Sequence, residues 1–201
     1  MGLRYLALGD SYTIGESVAV SDRWPVELVS RLRKKGLEFE EPDIIAVTGW
    51  TTDELINAIE QKDPSEDYDL VTLLIGVNNQ YRGYPFKQYT AEFELLLKTA
   101  IKHGQGQSSN VFVVSIPDYG VTPFAQEKDP DKIGREIDAY NSEAEKTCRK
   151  YLVPFINITN ISKTALNDPE LTADDNLHPS GKMYRMWVDE ILPVVFSGIS
   201  K

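Results

Sequence analysis

The stretch Tyr5-Leu6-Ala7-Leu8-Gly9-Asp10-Ser11-Tyr12-Thr13 contains an apolar run that stops abruptly at a glycine. The run has the character of a buried β-strand, and a carboxylate and a hydroxyl follow it at once. In an α/β sheet, the residue just past the carboxyl end of a strand lies in the crevice where ligands bind. The strand would hold Ser11 exposed in that crevice, which suits a nucleophile.

Four further short apolar runs follow along the chain, separated by segments with helical character. These runs are residues 44–47, 70–75, 111–116 and 154–158. The second and third of them are nearly continuous in apolar and β-branched residues, as expected for strands buried on both faces. Because strand and helix alternate along the chain, we predict a three-layer α/β/α sandwich around a five-stranded parallel sheet.

Five helices are predicted between and after these strands. Pro25 begins the first at a favoured position and Gly36 ends it, while Asp53 is predicted to cap the second. The third carries apolar residues at spacings of three and four over residues 93–101. The last two are predicted at about 131–150 and 180–194. Three other stretches, residues 76–86, 118–129 and 160–175, are predicted to be irregular, and such loops often carry function.

The length and composition indicate one soluble globular domain over residues 1–201. The net charge of −10 would repel a phosphate backbone, so we expect no nucleic-acid partner. The single cysteine, Cys148, cannot form an internal disulfide. No apolar run is long enough to cross a bilayer, and the first residues do not form a signal peptide. We therefore expect a cytoplasmic protein without integral membrane association, unless a leader preceded residue 1; the sequence carries no signal for an oligomeric state.

A nucleophilic serine needs a base, which is usually histidine, and the chain has two histidines. His103 lies at the polar end of a predicted helix, where a cation favoured by the helix dipole is the ordinary interpretation. His178 lies in a polar loop that leads into the last predicted helix. The two histidines lie on separate elements without clustered ligands, so no metal site is predicted.

Two carboxylates precede His178. Asp175, three residues earlier, can fold back onto the ring Nδ1–H, fix the tautomer and stabilise the imidazolium that forms. Asp174 is the second candidate for this role. A plain turn, with Pro179 beginning a helix, explains the same residues equally well.

Acyl transfer also needs hydrogen-bond donors aimed at the developing oxyanion. Gly49 follows the second apolar run, where its backbone N–H can approach a ligand closely. Asn78 follows the third run and brings a side-chain amide to the same edge of the sheet. Either residue alone could belong to an ordinary turn. Together with Ser11, however, they follow three different strands, which indicates a common site.

Four blocks of sequence resemble those of the SGNH, or GDSL-type, hydrolases, a family of serine esterases and lipases. The blocks are Gly9-Asp10-Ser11, Gly49, Gly76-Val77-Asn78-Asn79 and Asp175-Asn176-Leu177-His178-Pro179. Their order and spacing agree with the family over nearly the whole chain. Tyr12 replaces the leucine of the family's name and Asn79 stands where many members carry aspartate, which bears on the subfamily more than on the activity.

The resemblance implies a flavodoxin-like sheet with the strand order 2-1-3-4-5. It also implies a carboxylic ester hydrolase that acts through an acyl-enzyme and needs no cofactor. Ser11 would be the nucleophile, His178 the base and Asp175 the residue that orients it. The backbone N–H groups of Ser11 and Gly49 and the side chain of Asn78 would form the oxyanion hole.

The small-molecule ester itself is less well defined by the sequence. The resembled family acts on simple esters, lysophospholipids, thioesters and acetylated sugars. Aromatic residues on the predicted loops could line an acyl pocket or simply pack the loops down, and Arg82 could bind an anion or be solvated. The candidate substrate-binding residues are Trp50, Asn79, Tyr81, Arg82 and Tyr119, and Tyr84 and Phe124 are further loop aromatics.

Two other functions compete with the hydrolase interpretation. The acidic charge and Ser11-Tyr12-Thr13-Ile14-Gly15, which resembles a hydroxyl-rich phosphate loop, would fit a flavodoxin-like electron carrier that binds FMN. That alternative leaves Gly49, Asn78 and the pair of Asp175 and His178 unexplained. The second alternative is a catalytically inactive relative that binds acylated ligands.

Overall fold

The computed structural model describes residues 2–199, and five strands in it form one parallel sheet. The strand order is β2-β1-β3-β4-β5, as predicted. The strands are β1 (Tyr5–Gly9), β2 (Asp43–Ala46), β3 (Leu70–Leu74), β4 (Val111–Val114) and β5 (Phe155–Ile156). Every residue of β1, β3 and β4 is buried, because these central strands are covered by helices on both faces.

The helices are α1 (Ser11–Ile14), α2 (Trp24–Lys34), α3 (Thr52–Lys62), α4 (Val77–Tyr81), α5 (Phe86–His103), α6 (Pro130–Tyr151), α7 (Thr159–Ser162) and α8 (Gly181–Ile199). Helices α2 and α8 pack together, and α5 packs between α3 and α6. Right-handed connections between parallel strands place these two groups on opposite faces of the sheet. No helix within residues 2–199 is long and apolar enough to span a membrane.

The topology creates a crevice between β1 and β3. The chain leaves β1 toward β2 on one side, then crosses back to form β3 on the other. The strand order therefore reverses between β1 and β3, and ligands of such sheets bind outside the carboxyl ends of the strands at this point. Ser11 follows β1 and Asn78 follows β3, so both lie at the reversal.

Several local predictions were wrong. The stretches predicted to be irregular contain the short helices α4 and α7 and several 3₁₀ turns, which are too short to show a period in the sequence. Helix α3 is capped by Thr51 rather than Asp53, with the Glu54 carboxylate accepting the Thr51 N–H at 2.9 Å. His103 lies at the end of α5 as predicted, and it is 4% exposed, with its Nδ1 2.9 Å from the Ser65 carbonyl oxygen.

Candidate active site

The turn after β1 presents Ser11 on a tightly packed support. A Cβ at Gly9 would lie 2.1 Å from Thr13 Oγ1 and 2.5 Å from the Leu74 carbonyl oxygen, so only glycine fits there. Asp10 Oδ1 accepts the Tyr12 N–H at 3.0 Å and caps the short helix α1. Ser11 is the first residue of that helix and is only 4% exposed, so the prediction that it would be exposed was wrong, because the turn packs closely around it. The packed turn therefore fixes the Ser11 backbone at the edge of the sheet.

The loop before α8 brings a carboxylate to the His178 ring. Asp175 Oδ2 lies 2.6 Å from His178 Nδ1. Asp175 Oδ1 accepts the backbone N–H groups of Leu177 at 3.0 Å and His178 at 2.9 Å. The turn therefore holds this carboxylate and the ring together. Asp174 is exposed and lies along a separate surface recess with Ser17.

The Asp175 carboxyl is held in its charged form. Partial burial alone would raise its pKa, but hydrogen bonds from Ser17, His178 and the backbone outweigh that effect and lower the pKa well below its usual range. An ionised carboxylate at Oδ2 accepts a hydrogen bond from Nδ1–H, which favours the neutral tautomer in which Nε2 carries no proton. This tautomer is the one that a general base requires.

Four of the five residues predicted for the triad and the oxyanion hole, Ser11, Gly49, Asn78 and His178, line one cavity of about 260 Å³. The cavity is lined by Ser11, Tyr12, Thr48, Gly49, Val77, Asn78, Tyr81, Tyr119, Phe124, Leu177 and His178. Ser11 and His178 share this cavity without a direct hydrogen bond between them. Contacts between nucleophile and base are often long in free enzymes and shorten when substrate binds. A larger groove of about 800 Å³ lies between the loops that follow β4 and β5 and is lined by none of these four residues.

Three hydrogen-bond donors converge on this cavity from three strand ends. Within residues 2–199, the backbone N–H groups of Ser11 and Gly49 have no acceptor. Gly49 has φ of 88°, a left-handed conformation that glycine adopts without strain. Asn78 donates one Nδ2 hydrogen to the Trp50 carbonyl oxygen at 2.9 Å, which orients the amide and leaves its second hydrogen available.

Two of the predicted substrate contacts, Tyr81 and Tyr119, lie in the cavity wall together with Phe124. The ring centroid of Tyr81 lies 6.1 Å from that of Tyr119 and 6.0 Å from that of Phe124. Tyr81 is 50% and Phe124 38% exposed, so this aromatic wall is open to substrate. Val77 and Leu177 complete the apolar lining of the cavity. Neither residue was predicted for this role from the sequence, because a single apolar residue among polar ones has no recognisable pattern.

The other three predicted substrate contacts do not line the cavity. Asn79 is fully buried, and its amide bonds both the backbone N–H and the hydroxyl of Thr52, at 3.0 and 2.7 Å. It therefore fixes the beginning of α3, contrary to the prediction. Trp50 contributes only its carbonyl oxygen, to Asn78. Arg82 donates to the Gly49 carbonyl oxygen at 2.6 Å and thereby supports the loop that carries the Gly49 N–H.

The Asp10 carboxyl is fully buried behind the serine, and its Oδ2 has no hydrogen-bond partner among residues 2–199. Burial raises the pKa of Asp10 to about 7, against the opposing effect of the Tyr12 N–H. The folded protein therefore keeps this proton to about pH 7, whereas the unfolded chain loses it near pH 3.8, the ordinary pKa of an aspartate side chain.

Because the native state binds the extra proton between those two pKa values, Asp10 should make the free energy of unfolding fall as pH rises from about 4 to about 7. The loss should be on the order of 4 kcal/mol. Asp10→Asn keeps an acceptor that caps α1 but cannot ionise, so its free energy of unfolding should not fall in this way between about pH 4 and pH 7. Chemical denaturation across this pH range measures the free energy of unfolding, with the exposed Asp174→Asn as control. Parallel profiles for wild type and Asp10→Asn would contradict the assignment.

No group of three or more His, Cys, Asp or Glu side chains within residues 2–199 is arranged to hold a metal ion. The groups that this site does present are a hydroxyl, an imidazole backed by a carboxylate, and three N–H donors. That set of groups is suited to acyl transfer.

The model of the GDSL-like lipase/acylhydrolase family matches residues 7–186, and the chain belongs to that family. An arylesterase of Vibrio mimicus is 27% identical over 194 residues, which covers 94% of this chain and 86% of the relative. The protein is a carboxylic ester hydrolase of the GDSL type. The hydrolase interpretation of the sequence is thereby confirmed over that of an electron carrier.

Solved structures share the fold along nearly the whole chain. The crystal structure of TesA superposes with a TM-score of 0.77 at 16% identity and covers 97% of this chain and 99% of its own. Esterase EstA from Pseudoalteromonas sp. superposes with a TM-score of 0.70 at 17% identity, and the match covers 98% of this chain and 99% of EstA. Acetylxylan esterase Axe2 from Geobacillus stearothermophilus superposes with a TM-score of 0.71 at 18% identity, and the match covers 100% of this chain and 95% of Axe2. At these identities the likeness is one of fold.

Proposed function

We propose that this esterase cleaves its substrate through an acyl-enzyme formed on Ser11. His178 Nε2 takes the proton of the Ser11 hydroxyl as Oγ attacks the ester carbonyl carbon. The tetrahedral intermediate collapses when the bond to the leaving oxygen breaks, and the imidazolium returns its proton to that oxygen. The alcohol departs and the acyl group remains on Oγ.

Water then completes the cycle. His178 removes a proton from a water molecule, which attacks the acyl carbonyl, and the second tetrahedral intermediate expels Ser11 Oγ. The imidazolium gives its proton to Oγ, and the carboxylic acid leaves. Throughout, the Asp175 carboxylate stays ionised and stabilises the charged ring. The single observation that carries this proposal is that His178, joined to Asp175 at 2.6 Å, lines the same cavity as Ser11.

The oxyanion of both intermediates would accept hydrogen bonds from the N–H groups of Ser11 and Gly49 and from Asn78 Nδ2. These donors are fixed by the backbone and by the Asn78 contact with the Trp50 carbonyl oxygen. They need no reorganisation when charge develops, which is the condition under which such groups stabilise a transition state.

Asn78→Ala should lower kcat by about a hundred- to a thousandfold, the scale for losing one oxyanion donor, with KM little changed. Steady-state kinetics on a p-nitrophenyl ester measures both constants, and thermal unfolding checks that the loop around Trp50 is intact. Asn78→Asp, which keeps the shape but replaces the donor by a carboxylate, should be at least as slow. A turnover number equal to that of the wild type in the folded Asn78→Ala variant would remove this amide from the oxyanion hole.

We also infer that the acyl side of the substrate is short or aromatic. The cavity of about 260 Å³ lies at the small end of ligand sites, and an aromatic wall forms one side of it. The related Vibrio mimicus protein is named an arylesterase, and because an aryl ester carries its ring on the leaving alcohol, that name agrees with an aromatic leaving group beside this wall rather than with a particular acyl group.

A series of p-nitrophenyl esters from acetyl to decanoyl tests both the reaction and the pocket. We expect kcat/KM to fall by at least about tenfold between butyryl and decanoyl, because the added methylenes exceed the cavity. Phe124→Ala should raise the ratio of decanoyl to acetyl activity. Phe86→Ala, an exposed aromatic position outside the cavity lining, is the matched control. Activity that rises steadily with chain length in the wild type would contradict a small acyl site.

A further inference from the structure

A second hydroxyl contacts the carboxylate that orients His178. Ser17 Oγ donates to Asp175 Oδ2 at 2.6 Å, across 158 positions of sequence. The same oxygen lies 2.6 Å from His178 Nδ1. Asp175 Oδ2 therefore accepts hydrogen bonds from two side chains at once. One is His178, in the same loop, and the other is Ser17, in the segment that follows Ser11.

The backbone around Ser17 ties it closely to Ser11. Helix α1 ends at Gly15 in the left-handed conformation, and the N–H groups of Gly15 and Glu16 both donate to the Ser11 carbonyl oxygen at 3.0 Å. Ser17 itself has φ of 63°, a conformation that costs energy in a residue other than glycine. Such strain persists where the surrounding structure determines it, and it is often found at functional sites.

The same segment also contacts the loop of the Gly49 donor. The Glu16 carboxylate accepts a hydrogen bond from the hydroxyl of Thr48, which lies in the cavity lining next to Gly49. Glu16 thus contacts the loop that carries Gly49, through Thr48, and Ser17 contacts the loop that carries His178, through Asp175.

We propose that Ser17 is a positioning residue, which joins Asp175 to the turn that carries Ser11 and so keeps the His178 ring aligned with the nucleophile. This inference rests on the proposed roles of Ser11, His178 and Asp175. The Asp175 side chain is 30% exposed, so water competes for its oxygens. The Ser17 hydroxyl occupies one side of Oδ2 and restricts the carboxylate to the orientation that receives Nδ1–H.

Ser17→Gly best distinguishes a positioning residue from a plain turn residue, because glycine relieves the strained φ while it removes the hydroxyl. A turn residue without a role in catalysis should tolerate this change with unaltered or higher stability and full activity. We expect instead that kcat falls by about tenfold with KM unchanged, as for a lost hydrogen bond to a charged group. The low-field Nδ1 proton resonance of His178 should shift or broaden. Asp63→Gly relieves a similar conformation (φ 43°) at the exposed end of α3 and is the matched control.

A double-mutant cycle separates an action through Asp175 from a general effect. In an Asp175→Asn background, Ser17→Gly should lower the residual kcat by less than about twofold, because the partner through which it acts has been altered. Wild-type kcat and an unchanged Nδ1 resonance in Ser17→Gly would overturn the inference. A full tenfold loss that persists in the Asp175→Asn background would also overturn it. If Ser11→Ala is inactive while Ser17→Gly is fully active, the inference fails and the proposed function stands; activity in Ser11→Ala would instead remove the proposed function itself.

Discussion

Ser11→Ala is expected to lower kcat for a p-nitrophenyl ester by on the order of a millionfold, the scale on which serine hydrolases lose turnover without their nucleophile. Ser11 is the nucleophile of the proposed mechanism, and it lines the same cavity as His178, Gly49 and Asn78. KM should change little, since the aromatic wall and the backbone donors remain.

The protein fold should survive this substitution, because the Ser11 hydroxyl makes no hydrogen bond within residues 2–199. Thermal unfolding of the variant provides that check. A fluorophosphonate probe should label the wild type and fail to label Ser11→Ala. Activity within about tenfold of the wild type in a folded, unlabelled variant would rule out an acyl-enzyme on this residue.

Asp175→Asn is expected to lower kcat by about ten-thousandfold, because an asparagine in this place favours the wrong histidine tautomer. The amide can present its N–H₂ to Nδ1, which then accepts a hydrogen bond, so the ring proton moves to Nε2. Nε2 can then no longer take the proton of Ser11. Steady-state kinetics on an activated ester keeps this residual rate measurable.

The adjacent carboxylate provides a matched control for that experiment. Asp174→Asn removes the same charge one residue away, at an exposed position without contact to the His178 ring. We expect its kcat to stay within about twofold of the wild type. Asp174 would be the orienting residue if its substitution, and not that of Asp175, abolished turnover.

The sheet could be predicted because its central strands carry a continuous apolar signal. Residues 70–75 and 111–116 read as fully buried strands, and β3 and β4 occupy those runs. Parallel strands end at one edge of the sheet, so residues that directly follow them meet there. That rule brought together Ser11 and Asn78 from positions far apart in sequence. The particular strand order came from the resemblance of the four blocks to the family.

The side-chain directions within the site could not be predicted, as Asn78 and Asn79 illustrate. The two residues are chemically identical neighbours, but both lie in helix α4, where successive side chains point about 100° apart. Asn78 therefore reaches the cavity while Asn79 reaches Thr52. Because α4 is too short to show a period, the residue pattern does not predict these two directions, and Asn78 is assigned to the oxyanion hole only through the resemblance to the family.

Contacts between distant loops were also beyond the sequence. Ser17 lies in a short non-repeating segment, and its bond to Asp175 depends on the left-handed turn at Gly15 and on the packing of α8. For Arg82 the sequence left an anion-binding and a solvated role open, whereas the structure places its guanidinium on the Gly49 carbonyl oxygen. Ser17 and Arg82 each hydrogen-bond to a residue of the site and do not line the cavity themselves. No local sequence motif predicts such a contact.

We propose that Ser11, Gly49 and Asn78 surround the one point in space where the substrate oxyanion forms. A crystal structure of the protein inactivated by an alkyl fluorophosphonate measures this directly, since the phosphoryl oxygen stands in for that oxyanion. We expect phosphorus bonded to Ser11 Oγ and the phosphoryl oxygen about 3 Å from all three nitrogen donors. An adduct on another residue, or a phosphoryl oxygen that points to solvent away from these donors, would contradict it.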